Sequence, residues 1–372
     1  MTATAKAASG RPLRIAFFAP LKPPDHPHPS GDRRVARLLI AALQAAGHRV
    51  ELASRLRTRE ANGEPAAQSR IVAAATAETD RLVAEWRTDP PNLWFTYHLY
   101  YKAPDLLGPA VSRALGIPYV AAEASHAAKR LTGPHADFAQ ATLEAIRGAD
   151  RIFHVTSVDR QALAGVVAPE RLNGLPPFTA YRPRPPRRPR GGPVRLLVVA
   201  MMRPGDKLAS YRQLGVALRR LKGRDWHLTL IGDGPAARQV MAELGPVRSQ
   251  VTRCGRGATA TLPALYHDHD LMVWPAVNEA YGMALLEAQA FGQPVLAGAH
   301  GGVPDIVDDG RSGLLVAKDD VAAFARALGR LLHDAPLRRR LADGAWRHVL
   351  RRHSFAATVA VLDREVRALC GS

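Results

Sequence analysis

The chain has 372 residues, which is long for one hydrophobic core and predicts two domains of ordinary size. Its formal charge is +18, from 51 Lys and Arg against 33 Asp and Glu, so nucleic acid, an anionic membrane face or phosphorylated small molecules would suit it. An Arg-rich composition of the whole proteome would give the same charge.

The sequence favours a cytoplasmic protein, with a peripheral contact at the inner membrane face left open. It contains no apolar run long enough to span a bilayer, and its first dozen residues lack the apolar core of a secretory signal. Cys254 and Cys370 are the two cysteines, too few for a disulfide framework or a four-ligand zinc site.

Apolar runs of strand length alternate with longer segments of helical period from Leu13 almost to the C-terminus. This alternation predicts parallel strands joined by helical crossovers. In the first half, helices are predicted over 33–46 and 136–147. Strands are predicted there at 14–20, 49–52, 93–98, 118–123 and 151–157.

Pro, Arg and Gly dominate between Pro176 and Pro193, and no period survives there. The run predicts a stiff, solvated linker, which explains its charge better than a nucleic-acid site does. The alternation then restarts, with strands predicted at 194–201, 227–234, 251–255, 271–275 and 294–298. A last helix is predicted over 354–369; because no predicted strand follows it, we expect it to return to the first domain.

Two similar α/β halves predict two Rossmann-like, doubly wound parallel-sheet domains that face a cleft. Ligands bind beyond the carboxyl ends of such strands, so the cleft is the expected ligand site. The predicted bounds are 1–178 for the N-terminal domain, 179–193 for the linker, 194–352 for the C-terminal domain and 353–372 for the returning helix.

The stretch NEAYGMALLEAQ places Glu279 and Glu287 on either side of Gly282. A helix is predicted to begin near Tyr281 or Gly282, and its first amides, which lack intrahelical acceptors, would bind an anion. One carboxylate could hold sugar hydroxyls and the other a ribose. Taken singly, Glu279 is as well explained as an acid near a helix N-terminus, and Glu287 as a solvated helix residue.

Two cations follow the first strand of the second half in MMRPGDK. Arg203 is predicted in the strand-to-helix loop and Lys207 at the helix start. Arg would bind a diphosphate through its planar fork and Lys as a point charge, the alternative being a solvated pair. The run HDHD at 267–270 has metal-ligand residue types, but its place between a short helix and a strand argues against a metal site.

The stretch NEAYGMALLEAQAFGQPVLAGAHGGVPDIVDDGRSGLLV resembles the donor-site signature of the retaining, family 4 glycosyltransferases, which have the GT-B fold. Glu279 and Glu287 match the E-x7-E motif of that family. MMRPGDK resembles its Arg and Lys diphosphate clamp, with a spacing one residue shorter than the commonest form. The resemblance is specific over 194–316 and weaker in the first half, where PHPSGDRR resembles the glycine loop after the first strand.

The resemblance implies an N-terminal acceptor domain, a C-terminal donor domain, and transfer of a sugar from a nucleotide-diphosphate sugar with retention of anomeric configuration. No metal ion or other cofactor is then expected, because the clamp and the helix start would stabilise the leaving group. The implied catalytic residues are Arg203, Lys207 and Glu279. The implied donor-binding residues are Gly31, Tyr281, Gly282, Met283 and Glu287.

On the acceptor side, EASHAAKR places Glu123 and His126 at the carboxyl end of one predicted strand, and His98 ends the preceding one. His126 is the predicted catalytic residue of this half, with a structural hydrogen-bonding role as the alternative. The acceptor, whether sugar, lipid or small molecule, is left open, and no nucleic-acid partner is expected. The alternative functions are a GT-B nucleotide-sugar epimerase or hydrolase, and a non-catalytic basic protein that binds surfaces.

Overall fold

A computed structural model describes residues 10–28, 30–186, 191–255 and 261–371. The chain divides into two compact units. One comprises Met1–Pro176 with Ala356–Ser372, and the other comprises Pro177–Phe355.

The first unit contains a parallel sheet of six strands in the order β2-β1-β3-β4-β5-β6. Phe17, Phe95 and Phe153 stack within its core, with ring centroids 5.7 and 6.3 Å apart. The strands are β1 Arg14–Phe18, β2 Arg49–Leu52, β3 Leu93–Leu99, β4 Tyr119–Ala124, β5 Arg151–His154 and β6 Leu172–Gly174. The helices between them are α1 Gly31–Ala45, α2 Pro65–Trp86, α3 Gly108–Leu115, α4 Ala136–Gly148 and α5 Ser157–Ala164.

The second unit contains another parallel six-stranded sheet, in the order β12-β11-β10-β7-β8-β9. Read along the chain, this is the strand order of dinucleotide-binding Rossmann domains. The strands are β7 Val194–Val199, β8 Trp226–Ile231, β9 Val251–Cys254, β10 Leu271–Trp274, β11 Val295–Gly298 and β12 Gly313–Val316. The helices are α6 Asp206–Arg219, α7 Ala237–Glu243, α8 Leu262–Asp268, α9 Met283–Ala290, α10 Val303–Ile306, α11 Val321–His333 and α12 Ala335–Arg352.

The predicted fold class, two Rossmann-like doubly wound sheets, is confirmed. The edge strands β6 and β12 were not predicted, because β6 has only three residues and β12 begins at a glycine that ends a turn-forming run. Several predicted strands are too long; β7, for example, ends at Val199 although the apolar run continues to 201. A strand ends where its backbone hydrogen bonds to the neighbouring strand end, whereas the apolar run can continue into the loop.

The predicted linker contacts the second unit at Tyr181 and Arg184, although Arg182, Pro185 and 191–193 are exposed as predicted. The ring of Tyr181 lies 5.2 Å from that of Phe291, and the amide of Arg184 donates to the carbonyl of Ala290 at 2.7 Å. Packing of an aromatic ring against an apolar surface is more favourable than its hydration. The Pro and Arg content of the run gave no indication of this contact. Residues 187–190 of the predicted linker lie outside the described residues.

The last helix, α13, covers Phe355–Cys370 and completes the first unit. Its Asp363 lies 3.0 Å from Nε2 of His48 and accepts from Nε of Arg367 at 2.7 Å. Leu362 and Val366 are fully buried. Within the described ranges, no helix has the length and apolar character needed to cross a membrane.

Two buried histidines hold the start of the second unit against its end. Nδ1 of His353 donates to the carbonyl of Pro177 at 2.6 Å, so in the neutral ring Nε2 is free of hydrogen and accepts from Nε2 of His348 at 3.1 Å. Burial, reinforced by the neighbouring His348, lowers the pKa of His353 to about 3.

This arrangement predicts an acid-sensitive second unit. The folded-state pKa of His353 lies below its unfolded value, so its stabilisation is present above the unfolded pKa and is lost as pH falls. Between about pH 7.5 and about pH 5.5, His353 alone should lower the free energy of unfolding by about 1.4 kcal/mol. Urea unfolding of the wild type and of His353→Asn, whose amide can still donate to Pro177, measures the difference; an equal acid loss in both would refute the assignment.

Candidate functional site

The second sheet has its topological switch point between β7 and β10, which are neighbours in the sheet although far apart in the chain. Loops leaving the carboxyl ends of two such strands run in opposite directions and leave a crevice for ligands. The loop after β7 leads to Lys207, the second residue of α6, and the loop after β10 carries Glu279. The fold therefore brings together two predicted catalytic residues that are 72 positions apart.

Lys207 and Glu279, here called the donor pair, are in direct contact. Nζ of Lys207 bonds to Oε2 of Glu279, and the same oxygen accepts from Nε1 of Trp274 at 3.2 Å. The ammonium also lies 5.6 Å from the centroid of the indole ring, within cation–π range. One tryptophan thus fixes both members of the pair.

The loop between β10 and Glu279 is tied to the start of α6. Nδ2 of Asn278 donates to Oδ2 of Asp206 at 3.0 Å, and the amide of Val277 donates to Oγ of Ser210 at 2.9 Å. Ala276 and Asn278 adopt left-handed φ values of 60° and 49°, which costs energy for a residue with a side chain. Such strain is retained where surrounding contacts impose it, and here it sets the position of Glu279.

Helix α9 begins at Met283, just after the position predicted from the sequence. Its cap is Gly282, with φ of 77°, and a Cβ there would lie 3.3 Å from Cγ of Glu279 and 3.0 Å from Cδ1 of Leu285. Tyr281 is buried beside it. The glycine therefore permits both the left-handed turn and the close approach of Glu279, at the point where α9 begins.

Glu287 is enclosed within the second unit. Its side chain belongs to a residue only 1% exposed, and its Oε2 accepts from the hydroxyl of Tyr266 at 3.0 Å. The interpretation of Glu287 as a solvated helix residue is therefore wrong, because α9 is buried on every side from Leu285 to Ala290. Its assignment to a donor ribose stays a prediction.

Arg203 occupies the predicted strand-to-helix loop and is exposed. Its carbonyl accepts from the amide of Leu208 at 3.1 Å, which anchors the backbone and leaves the guanidinium on the surface. The HDHD run is structural: the ring of His269 contacts the carbonyl of Leu265 at 2.7 Å and Oγ1 of Thr229 at 2.9 Å. Among the described residues, no group of three or more His, Cys, Asp and Glu side chains could hold a metal ion.

The first sheet has its own switch point, between β1 and β3. Asp32, in the first turn of α1, follows β1, and His98 is the next-to-last residue of β3. Nδ1 of His98 lies 3.1 Å from Oδ1 of Asp32 and 3.8 Å from Oε1 of Glu123, at the end of the neighbouring β4. These three residues are here called the switch-point cluster.

Two members of the switch-point cluster have strained backbones: His98 has φ of 60° and Glu123 has φ of 58°. Burial would lower the pKa of His98, but the carboxylates of Glu123 and Asp32 outweigh it and raise that pKa. Burial raises the pKa of Glu123, against the opposing effect of His98. Strain and perturbed pKa values in one place are typical of functional sites.

Gly31 and His126 also belong to the first unit. Gly31 is the first residue of α1, exposed, with open space where a Cβ would stand. His126 lies two residues beyond β4 and is half-buried; burial, then Arg147, lowers its pKa. Sequence reasoning reached His98 and Glu123 as strand ends but missed Asp32, whose contact with His98 depends on the strand order of the sheet.

Comparison with known proteins bears mainly on the second unit. Residues 194–334 match the family model described as glycosyl transferases group 1. That segment runs from β7 through α11 and contains the donor pair. The chain is also 52% identical, over 98 residues, to a D-inositol 3-phosphate glycosyltransferase of Salinispora tropica, covering 26% of this chain and 20% of that protein. The alignments span about a fifth of the length of the first two curated relatives.

Solved structures with the same fold superpose over nearly the whole length of this chain. Sucrose-phosphate synthase from Thermosynechococcus elongatus superposes with a TM-score of 0.72 at 20% identity, covering 96% of this chain and 99% of that one. Anabaena HepE in complex with UDP-glucose superposes with a TM-score of 0.64 at 16% identity, covering 96% and 100%. At these identities the likeness shows the fold alone.

Proposed function

We propose that the chain is a glycosyltransferase that moves a sugar from a nucleotide-diphosphate sugar to an acceptor, with retention of configuration and without a metal ion. The observation that carries this proposal is the donor pair at the switch point of a Rossmann-type sheet, inside the segment that matches the glycosyl transferases group 1 model. The HepE complex with UDP-glucose supports a donor of the nucleotide-sugar type.

Cleavage of the sugar–phosphate bond leaves negative charge on the diphosphate. Lys207, the guanidinium of Arg203 and the first amides of α9 are the groups that would stabilise this charge, which is commonly the largest catalytic contribution. Glu279 would accept hydrogen bonds from sugar hydroxyls while holding Lys207, and Glu287 would serve the ribose. Gly282 and Met283 supply the helix start, with Tyr281 packed behind it.

In the proposed retaining reaction, an acceptor oxygen attacks the anomeric carbon from the face that the diphosphate leaves. The new carbon–oxygen bond forms as the bond to the leaving phosphate breaks. The acceptor proton passes to an oxygen of that phosphate, so the step balances without another base. The protein then has to hold the two reactants and stabilise charge, which are the roles that the donor pair and the α9 start suit.

We propose that the acceptor binds to the first unit, at the switch-point cluster and His126. Glu123 can accept a hydrogen bond from a hydroxyl, and His98, whose pKa the two carboxylates raise, can donate a hydrogen bond to a hydroxyl. Replacing His126 by Ala and Glu123 by Gln separates the two candidates. A loss of turnover confined to one variant identifies the residue that touches the acceptor, whereas full turnover in both would remove them from the site.

A thermal-shift panel of UDP, GDP, ADP and their common sugar conjugates tests the donor assignment, first with a chelator and then with magnesium. A nucleotide at about a hundred times its dissociation constant should raise the free energy of unfolding by about 2.7 kcal/mol. We expect one nucleotide to stabilise without metal. Stabilisation that requires magnesium would contradict metal independence, and consumption of the donor without a glycosylated product would favour the hydrolase or epimerase alternative.

A further inference from the structure

Part of the +18 charge is concentrated on one side of the second unit. Four of the six residues from 219 to 224, RRLKGR, are Arg or Lys, and none is acidic. This segment ends α6 and leads into β8. An Arg-rich composition of the whole chain does not by itself explain this clustering.

Helix α11 lies against this segment and adds its own cations. The helix contains no acidic residue, buries Phe324, Leu328 and Leu331, and exposes Arg326 and Arg330 one turn apart. Between the two elements runs a groove of about 390 Å³, lined by Arg220, Arg224, Arg326 and Arg330 and here called the arginine groove. Leu221 and Ala325 lie among its apolar lining residues.

Some exposed arginines elsewhere in the described chain are paired with acids. Arg81 pairs with Glu78 and Glu85, and Arg212 pairs with Glu243. No carboxylate lines the groove, and no ion pair to Arg220, Arg326 or Arg330 occurs within the described ranges. Guanidinium groups stay protonated at any physiological pH, so four fixed charges face solvent together.

We propose that the arginine groove docks the protein onto an anionic lipid surface. Guanidinium groups recognise phosphate oxygens, and a phospholipid headgroup presents one phosphate with mobile neighbours. A single phosphate dianion would neutralise two of the four arginines, whereas an array of monoanionic headgroups can neutralise them all.

Nucleic acid is the less favoured partner. Proteins that bind single strands combine basic grooves with aromatic side chains on which bases stack. Among the described residues, no Phe, Tyr or Trp lines the groove, and the imidazole of His333, which does line it, contacts Nη1 of Arg224.

The position of the groove is compatible with the proposed function but does not depend on it. Arg220 and Arg224 lie just before the amino-terminal end of β8, whereas Lys207 and Glu279 follow the carboxyl ends of β7 and β10. Within the second unit, these two positions therefore lie at opposite ends of the strands of one sheet. A membrane bound at the groove would therefore leave the donor pair uncovered.

Co-sedimentation with vesicles tests the proposal on the full chain. Vesicles of pure phosphatidylcholine are compared with vesicles of equal parts phosphatidylcholine and phosphatidylglycerol, at low and high salt. The variant carries Arg220→Gln, Arg224→Gln, Arg326→Gln and Arg330→Gln. A control with the same change in charge replaces exposed arginines of the first unit by Gln at Arg70, Arg87, Arg113 and Arg160.

We expect the wild type to bind only the anionic vesicles, and less at high salt. Each arginine near an anionic surface contributes roughly fivefold to the affinity for vesicles. The groove variant should therefore bind at least about tenfold more weakly than the wild type, while the control stays within about twofold of it. Equal binding by both variants, or no binding to anionic vesicles, would overturn the proposal. Melting temperatures and nucleotide shifts of both variants establish that folding and the donor pair are intact.

Two further arms distinguish the other anionic ligands. Inorganic phosphate that stabilises the wild type but not the groove variant, without vesicle binding, would make the groove a site for a soluble phosphorylated ligand. Binding of duplex DNA that is lost in the groove variant, again without vesicle binding, would identify nucleic acid instead. Either result rejects the lipid surface and leaves the donor assignment untouched.

Discussion

Lys207→Ala is expected to lower kcat/KM for sugar transfer by at least about tenfold, a loss of at least about 1.4 kcal/mol of transition-state stabilisation. The ammonium is the cation that the structure fixes at the switch point, held by Glu279 and placed over the indole of Trp274. An alanine leaves the departing diphosphate without this charge and leaves Glu279 without its partner. Initial rates measured with the nucleotide sugar identified by thermal shift give the number.

The matched control is Arg212→Ala, which removes an exposed cation from the same helix. Arg212 pairs with Glu243 at 3.1 Å, away from the donor pair, so turnover should change by less than about twofold. Glu279→Gln keeps the shape of the carboxylate and removes its charge, and should also impair transfer. If Lys207→Ala and Glu279→Gln both turned over like the control while remaining folded, the donor-site assignment would be abandoned.

Gly344→Ala is expected to destabilise the second unit by about 1–3 kcal/mol, the usual cost of overpacking. Gly344 lies in the interior of α12, where helix propensity alone would favour alanine by about 1 kcal/mol. A Cβ at this position would lie 1.8 Å from the carbonyl oxygen of Arg311. Because that atom belongs to the backbone of the loop leading into β12, the loop or the helix must move.

Gly329→Ala provides the control with the opposite sign. Gly329 is also inside a helix, α11, but a Cβ there meets only Cδ2 of Leu221, at 3.4 Å. We expect this substitution to raise the free energy of unfolding by about 0.5–1 kcal/mol. Urea unfolding of the two variants gives the comparison; equal effects would mean that the contact between α12 and the Arg311 loop does not hold in solution.

Lys207 and Glu279 could be found from sequence because each lies at a strand-to-helix junction, which strand pattern, glycine and proline mark strongly. The parallel alternation also sufficed to predict both sheets. The contact between the two side chains, and the tryptophan that fixes both, depends on β7 lying beside β10. That neighbour relation is a property of strand order, which local periodicity does not encode.

Other features were missed for the same kind of reason. Glu287 reads as a polar helix residue, and only the surroundings of α9 show that it is enclosed. Asp32 reads as an acid in a first helical turn, and its contact with His98 requires β1 to lie beside β3. Tyr181, in a run of Pro and Arg, gives no sign from its neighbours in sequence that it packs on Phe291.

The return of α13 to the first unit affects how the chain can be made. The second unit is one continuous segment, Pro177–Phe355, whereas the first needs Ala356–Ser372 as well. On a ribosome, where earlier segments emerge first, the second unit can close while the first still lacks the helix that carries Asp363 to His48 and buries Leu362 and Val366. The half that is synthesised first is therefore the half that is finished last, and it remains incomplete until the last helix has left the exit tunnel.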